Sequence, residues 1–383
     1  MTLMKQPIVN INIDKLKDAV KGKTIALMMN TSALTNTGKS LIDIMHFDWD
    51  MNIKFLLGME HGVRGELQGG VKVKNCKDPV TGLQVISLYD FPGLRPPADL
   101  ISQVDAVVFC AQDAGVRHYT YTPWMMFAMD AAAKGGTEII VLDRPNPMGG
   151  DIVEGGVVEP KHFSIIGGFA YPYRHGMTIG ELALMYNDKY KIGCNLTVIP
   201  MEGWKRSMWY DETGLLWTPP SPNIPVLDTL TAYATVGLLQ STNVSVGIGT
   251  TTPFNLFGAP WINGRNLAEN INKLEFPGLL CIDKYFIPNY TQYQGQVCSG
   301  VMLICYDRLL YRPVTAALNI LSLIVSDYSD KFNFTSVRSY DDRAGSSSLR
   351  KDLLAGRPAK DIVSDWETQA DKFRNERIPY LLY

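Results

Sequence analysis

The sequence predicts a two-domain α/β protein: a Rossmann-like, doubly wound and mostly parallel sheet over residues 1–190, then an α+β auxiliary domain over residues 191–383. Three observations predict it. The 383-residue chain is longer than one hydrophobic core usually serves. Four short apolar runs before residue 145 alternate with helix-like stretches, the pattern of parallel strands joined by crossover helices. After about residue 190 that alternation gives way to short strands, proline-rich loops and separate helices.

The first strand is read over Thr24 to Met29, and an amphipathic stretch from Lys39 to His46 supplies the helix that follows. The second strand spans Ile53 to Met59. Val71 to Tyr89, with the turn Asp78-Pro79-Val80-Thr81-Gly82, reads as an inserted hairpin. Helix Ala98 to Val104 leads to strand Ala106 to Ala111. Helix Pro123 to Lys134, stopped by Gly135-Gly136, leads to strand Glu138 to Leu142. Thr178 with Glu181 three residues on is a capping box that opens a helix to about Asn187. The second domain is read as strands Leu196 to Met201, Leu279 to Phe286 and Gln296 to Cys305, with helices over 313–327 and 358–376.

Composition narrows the function classes. Lys+Arg 36 against Asp+Glu 38 gives a formal charge of -2, with no basic excess to hold a phosphate backbone, so nucleic acid is not an expected partner. No stretch approaches the roughly 18 apolar residues of a membrane span. The N-terminus lacks a continuous apolar signal segment, so cytoplasmic location is the simplest expectation; periplasmic or exported location is the alternative if a signal precedes this sequence. The six cysteines show no CxxC spacing and several lie in apolar runs, so they read as buried thiols. His46, His61, His118, His162 and His175 form no dense ligand spacing, so no metal is expected. The turn after the first strand has no GxGxxG, and Gly247-Ile248-Gly249-Thr250-Thr251 lacks the Gly-Lys-Ser/Thr of a P-loop; no nucleotide cofactor is expected.

Ligands of open parallel sheets bind outside the carboxyl ends of the strands. Here each of those ends is polar: Asn30-Thr31-Ser32, Glu60-His61, Gln112-Asp113 and Asp143-Arg144-Pro145-Asn146. The segment Glu60-His61-Gly62-Val63-Arg64-Gly65 places a carboxylate beside an imidazole and a guanidinium, groups suited to acid/base chemistry on a polar substrate. Arg117, Tyr119 and Tyr121 follow the third strand, where aromatic rings could stack on sugar faces. Arg174 and His175 precede the capping-box helix and could reach the same cleft.

With these motifs the chain resembles the bacterial exo-β-N-acetylmuramidases. The resemblance is carried by Glu60-His61-Gly62-Val63-Arg64-Gly65, Gln112-Asp113-x-Gly115-x-Arg117-x-Tyr119-Thr120-Tyr121 and Leu142-Asp143-Arg144-Pro145-Asn146-Pro147. It continues through Arg174-His175-Gly176-Met177-Thr178, Met201-Glu202-Gly203-Trp204, Pro220-Ser221-Pro222-Asn223-Ile224-Pro225, Gly258-Ala259-Pro260-Trp261 and Tyr380-Leu381-Leu382-Tyr383, covering essentially the whole chain. It implies an active site in the cleft between two domains. It also implies release of terminal N-acetylmuramic acid, or a related amino sugar, from peptidoglycan fragments, without metal or nucleotide. Glu60 is the implied catalytic carboxylate, and glycoside hydrolysis usually requires a second group, for which Asp113 and Asp143 are the candidates. Asn30, His61, Gln112, Tyr119, Tyr121, Asn146, His175 and Asn223 are candidate substrate contacts. The carboxylate of muramic acid calls for a cation: Arg64, Arg117, Arg144 or Arg174.

One segment departs from the family. Its members carry Glu-Gly-Arg-Gly-Thr-Thr-x-Pro-Phe-Glu where this chain reads Val246-Gly247-Ile248-Gly249-Thr250-Thr251-Thr252-Pro253-Phe254-Asn255. Two carboxylates and an arginine are absent together, which implies either an altered sugar or aglycone preference, or a catalytically altered homologue that binds glycans or muropeptides. The weight of that departure depends on whether Val246, Ile248 and Asn255 line the cleft of Glu60.

Overall fold

A computed structural model describes residues 8–383. Residues 1–7, on which the signal-peptide reading rests, lie outside the described residues. Among the described residues nine strands precede residue 200: β1 (Ile25–Met29), β2 (Ile53–Gly58), β3 (Cys76–Lys77), β4 (Gln84–Ser87), β5 (Ala106–Cys110), β6 (Glu138–Leu142), β7 (Glu154–Val157), β8 (Pro172–Arg174) and β9 (Asn195–Ile199). Seven of them form one sheet in the order β3-β4-β2-β1-β5-β6-β9, parallel except for β3 against β4.

The expected inserted segment is the source of β3 and β4. β4 joins β2 in parallel, and the antiparallel β3 caps that edge. The chain runs outward from β1 to β2 and then returns to β5 on the other side of β1. That reversal puts the ends of β1, β2 and β5 around one crevice.

Alternation along the strands divides the core. Ile25, Leu27 and Met29 face one layer, with Leu16, Val20, Leu41 and Met45. Ala26 and Met28 face the other, with the helices Tyr121–Gly135 and Ile179–Lys189. The stretch read as a helix over Lys39 to His46 is only Leu41–Asp43, after which the backbone widens into a π-type turn over Ile44–Asp48.

The strand expected to open the second domain is instead β9, the edge of the first sheet. It pairs with β6 from Glu138↔Asn195 to Leu142↔Ile199, so the sheet extends past residue 190. As an edge strand it buries only Ile199 fully, and it lacks the continuous apolar run of the inner strands.

The later part of the chain is α+β, as expected. β10 (Leu256–Ala259), β11 (Leu279–Phe286) and β12 (Cys298–Cys305) form an antiparallel sheet in the order β10-β12-β11. Around it lie Asp228–Val236, Gly264–Asn272, Pro313–Asp327, Val337–Ala344, Ser348–Leu354 and Ala359–Glu376. The last of these helices packs on the β7–β8 hairpin, where a Cβ on Gly156 would sit 2.8 Å from the Trp366 ring. One hydrophobic core runs without a break from Val107 and Phe109 to Leu230, Val301 and Phe373. All six cysteines are free thiols; Cys76 is exposed, contrary to the buried reading, because β3 is an uncovered edge. No described helix is long and apolar enough to cross a membrane.

Candidate active site

The end of β2 turns sharply into the Glu60 segment. His61 takes a left-handed backbone (φ 71°) and Gly62 follows at φ 79°, where a Cβ would press on the Glu66 carboxylate at 2.8 Å. The turn carries residues 66–70 back over Glu60, whose Oε1 accepts a hydrogen bond from the Gly70 amide at 3.0 Å. His61 Nδ1 lies 2.9 Å from the Leu67 carbonyl, and since a carbonyl only accepts, Nδ1 is the donor and Nε2 keeps its lone pair in the neutral ring.

Glu60 and His61 open into a cavity of about 420 Å³. Tyr89, His118, Tyr119 and Ile165 line it from the first part of the chain; Ser221, Asn223 and Ile224 come from the loop after β9; Tyr233, Gln240, Ile248, Phe254 and Arg343 complete it. Among these lining residues Glu60 is the only carboxylate and Arg343 the only Lys or Arg. Burial pushes the phenols of Tyr89, Tyr119 and Tyr233 up, so they are neutral hydrogen-bonding groups. Burial first, then the charges of Arg343 and Arg117, push His118 well below the ordinary imidazole value, leaving it neutral. A second, apolar groove of about 630 Å³ has Arg357 as its only charged residue, and Arg357 is already paired with Asp352 and Asp365. Of the two, only the Glu60 cavity is lined by a carboxylate and imidazoles.

Of the expected site residues, Glu60, His61, Tyr119 and Asn223 share this cavity. The others do not line it. Asp143 is fully buried and accepts from Thr178 Oγ1 (2.7 Å), Tyr383 Oη (2.7 Å), the Gly180 amide (2.8 Å) and the Arg144 amide (2.9 Å). It tethers the capping-box helix and the C-terminal tyrosine, and burial pushes its carboxyl up to about 6. Asp113 accepts from the Gly115 amide at 2.7 Å and lies 3.4 Å from His175 Nε2. His175 Nδ1 in turn accepts from the Met177 amide. Neither side chain lines the cavity.

The arginines are likewise committed elsewhere. Arg64 binds Asp78 through Nε (2.7 Å) and Nη2 (2.6 Å), with Asp43 at 2.9 Å. Arg144 donates to Gln112 Oε1 and to the Leu34 carbonyl. Arg174 pairs with buried Glu154 at 3.0 Å. Arg117 donates to four carbonyls: Gly156 (2.6 Å), Tyr171 (3.1 Å), Arg343 (3.1 Å) and Ala344 (2.8 Å).

The polar strand ends do converge, but largely on one another. Asn30 Oδ1 accepts from Ser32, Ser32 Oγ accepts from the Gln112 amide, and Gln112 donates to the Pro145 carbonyl. Asn146 donates to the Met177 carbonyl. Tyr121 joins this network through Asn30 and donates to the Pro220 carbonyl at 2.6 Å; its ring packs edge-on against His61 and Tyr119. A buried polar group must find a partner, and here the strand ends supply each other's.

Arg343, His118, Tyr233 and Gln240 were not singled out as site residues by the sequence. Arg343 and Tyr233 lie on helices far along the chain from the Glu60 motif, and nothing in their local pattern marks them. Of the three residues that differ from the family motif, Val246, Ile248 and Asn255, only Ile248 lines the cavity. Val246 is in the core, and Asn255 Oδ1 accepts from Thr229 Oγ1 at 3.0 Å beside a different hollow.

Comparison with known proteins decides the family. Residues 25–228 match the model described as "Exo-beta-N-acetylmuramidase NamZ, N-terminal", and residues 231–383 match its C-terminal counterpart. The chain belongs to the NamZ exo-β-N-acetylmuramidase family. It is 39% identical over 383 residues to the peptidoglycan beta-N-acetylmuramidase NamZ of Bacillus subtilis (strain 168), covering 99% of this chain and 92% of that one. A crystal structure of a DUF1343 family protein from Bacteroides fragilis NCTC 9343 superposes with a TM-score of 0.90 at 33% identity, covering 99% of this chain and 100% of that one. A second such protein from the same strain gives 0.77 at 27% identity, with 99% of each chain covered. In this NamZ-family chain the cavity draws on both matched segments: Glu60 and Asn223 come from the first, Tyr233, Ile248 and Arg343 from the second.

Proposed function

We propose that this chain is an exo-acting glycosidase that releases terminal N-acetylmuramic acid, or a closely related amino sugar, from soluble peptidoglycan fragments. In this reading a Rossmann-like N-terminal unit carries Glu60 and an α+β C-terminal unit closes the cavity. The observation that carries it is the position of Glu60, the single carboxylate of a cavity built by both parts of a NamZ-family fold. Glu60 donates the proton to the leaving oxygen as the glycosidic bond breaks. The Gly70 amide fixes its orientation.

The usual pair of carboxylates is not met among the described lining residues. The second role falls either to a water activated by His61 Nε2 or to the acetamido oxygen of the substrate itself, an established exception to the two-carboxylate scheme. The stereochemistry of the first-formed product separates these two courses, because only the second retains configuration.

Ile248 favours a second reading, glycan binding without turnover, since it puts an aliphatic side chain where the family motif has arginine. Release of chromophore from an aryl β-N-acetylmuraminide tests both. Turnover that falls roughly 10²–10⁴-fold in Glu60→Gln supports the hydrolase. Folded wild-type protein that binds muropeptide in a calorimeter but releases no chromophore supports binding alone, and equal turnover by Glu60→Gln removes Glu60 from the reaction.

A further inference from the structure

N-acetylmuramic acid differs from N-acetylglucosamine by a lactyl ether that ends in a carboxylate. A cavity that selects the former needs a cation, and the four arginines that sequence placed near the site are held by Asp78, Glu154 or backbone carbonyls. Arg343 is the one lining cation left. It sits in the last turn of the helix Val337–Ala344, its Nε is buried without a hydrogen-bond partner, and among the described residues its guanidinium forms no ion pair.

The setting of Arg343 is that of a built receptor. Its backbone carbonyl and that of Ala344 both accept from Arg117 Nη2, while Arg117 Nη1 holds the carbonyls of Gly156 and Tyr171. Arg117 therefore fastens the end of this helix to the β7–β8 hairpin. The approach is close: a Cβ on Gly345 would meet Arg117 Nη2 at 2.6 Å. Tyr233, Tyr173 and Tyr340 lie near the guanidinium, and the charge of Glu60 also reaches it, though the two form no ion pair. A half-buried guanidinium with an unused donor binds a carboxylate better than a fully exposed one does.

We propose that Arg343 is the specificity-determining residue that receives the lactyl carboxylate of the terminal sugar, and that Arg117 is the positioning residue that aims it. This assignment rests on the muramidase reading of the cavity. It also gives Arg117, whose side chain does not reach the cavity, a defined relation to the substrate.

The experiment compares kcat/KM for an aryl β-N-acetylmuraminide with that for the same glycoside bearing a lactyl carboxamide. Wild type should prefer the acid roughly 10–100-fold, the range of a charge-assisted hydrogen bond. Arg343→Gln should lose that preference, with kcat/KM for the acid falling much further than that for the amide, Arg343→Lys should recover part of it, and Arg117→Lys should narrow it. A wild-type enzyme indifferent to acid and amide overturns the proposal, as does an Arg343→Gln variant that loses both substrates equally. An unchanged acid/amide ratio in Arg117→Lys removes its positioning role.

If wild type turns over neither glycoside, the hydrolase reading fails separately. Calorimetry with free N-acetylmuramic acid and N-acetylglucosamine then decides the receptor: an Arg343-dependent preference for the acid supports it, and equal or absent binding overturns it.

Discussion

Arg174→Met separates a scaffold arginine from a substrate arginine. Arg174 Nη1 lies 3.0 Å from Glu154 Oε2, and the two side chains are only 2% and 5% exposed. Nη2 also donates to the Met148 carbonyl, whereas Glu154 Oε1 has no partner. Methionine fills much of the same space but leaves the carboxylate buried and uncompensated. Removing one member of a buried pair costs about 3–5 kcal/mol.

The pH dependence follows from the same geometry. Burial already raises the Glu154 carboxyl above its ordinary 4.5, and Arg174 opposes that rise. Without Arg174 the native state holds the proton at pH values where the unfolded chain has released it. Both proteins lose stability as pH rises above 4.5, but the variant goes on losing it past the point where wild-type Glu154 has ionised, so the gap widens there at up to about 1.4 kcal/mol per pH unit until the variant's higher pKa is reached. Glu154→Gln combined with Arg174→Met should recover part of the loss, since no buried charge remains. Urea unfolding followed by tryptophan fluorescence, at about pH 5 and about pH 8, measures all three proteins. A loss under about 1 kcal/mol together with a collapse of kcat/KM would refute the reasoning and return Arg174 to the substrate.

Asp143→Asn should behave as a scaffold change: destabilisation of about 1–3 kcal/mol from its disturbed hydrogen bonds, with kcat/KM nearly unchanged. A hundredfold loss of turnover at unaltered stability would instead place Asp143 in the reaction. His118 stacks between Tyr173 and Tyr233, with ring centroids at 4.8 and 4.5 Å, and its pKa is held well below 6.5. It stays neutral in the fold while the unfolded chain gains a proton, so its contribution is present above pH 6.5 and lost as pH falls. Unfolding free energies should then shift in favour of His118→Phe below that pH; a difference independent of pH would show that His118 does not titrate this way.

Glu60 was legible from sequence because its immediate neighbourhood is local: an apolar strand, a left-handed turn and a short return loop lie within the 18 residues from Ile53 to Gly70. The capping box at Thr178 and Glu181 was legible for the same reason, as both of its hydrogen bonds close within one helical turn. The misplaced residues share a different cause. A polar group at a strand end looks the same in sequence whether it faces a ligand or another strand end, and Gln112, Asn146 and Arg144 face their neighbours. Arg64 shows how narrow the difference is: it belongs to the same hexapeptide as Glu60, yet its partner Asp78 comes from the inserted β3–β4 segment.

By itself the sequence determined the α/β class, the alternation that builds the first sheet, the family resemblance and the carboxylate at the end of β2. Those features are written in local periodicity and in motifs whose parts are adjacent along the chain. Only the tertiary structure decided that β9 closes the first sheet, that Ile248 alone of the three altered loop residues lines the cavity of Glu60, and that Arg343 is the cation of the cavity. Glu60 and Arg343 are brought together by packing across the whole molecule. Which arginine remains free is a matter of where each buried charge finds its partner, and that balance exists only once the chain has folded.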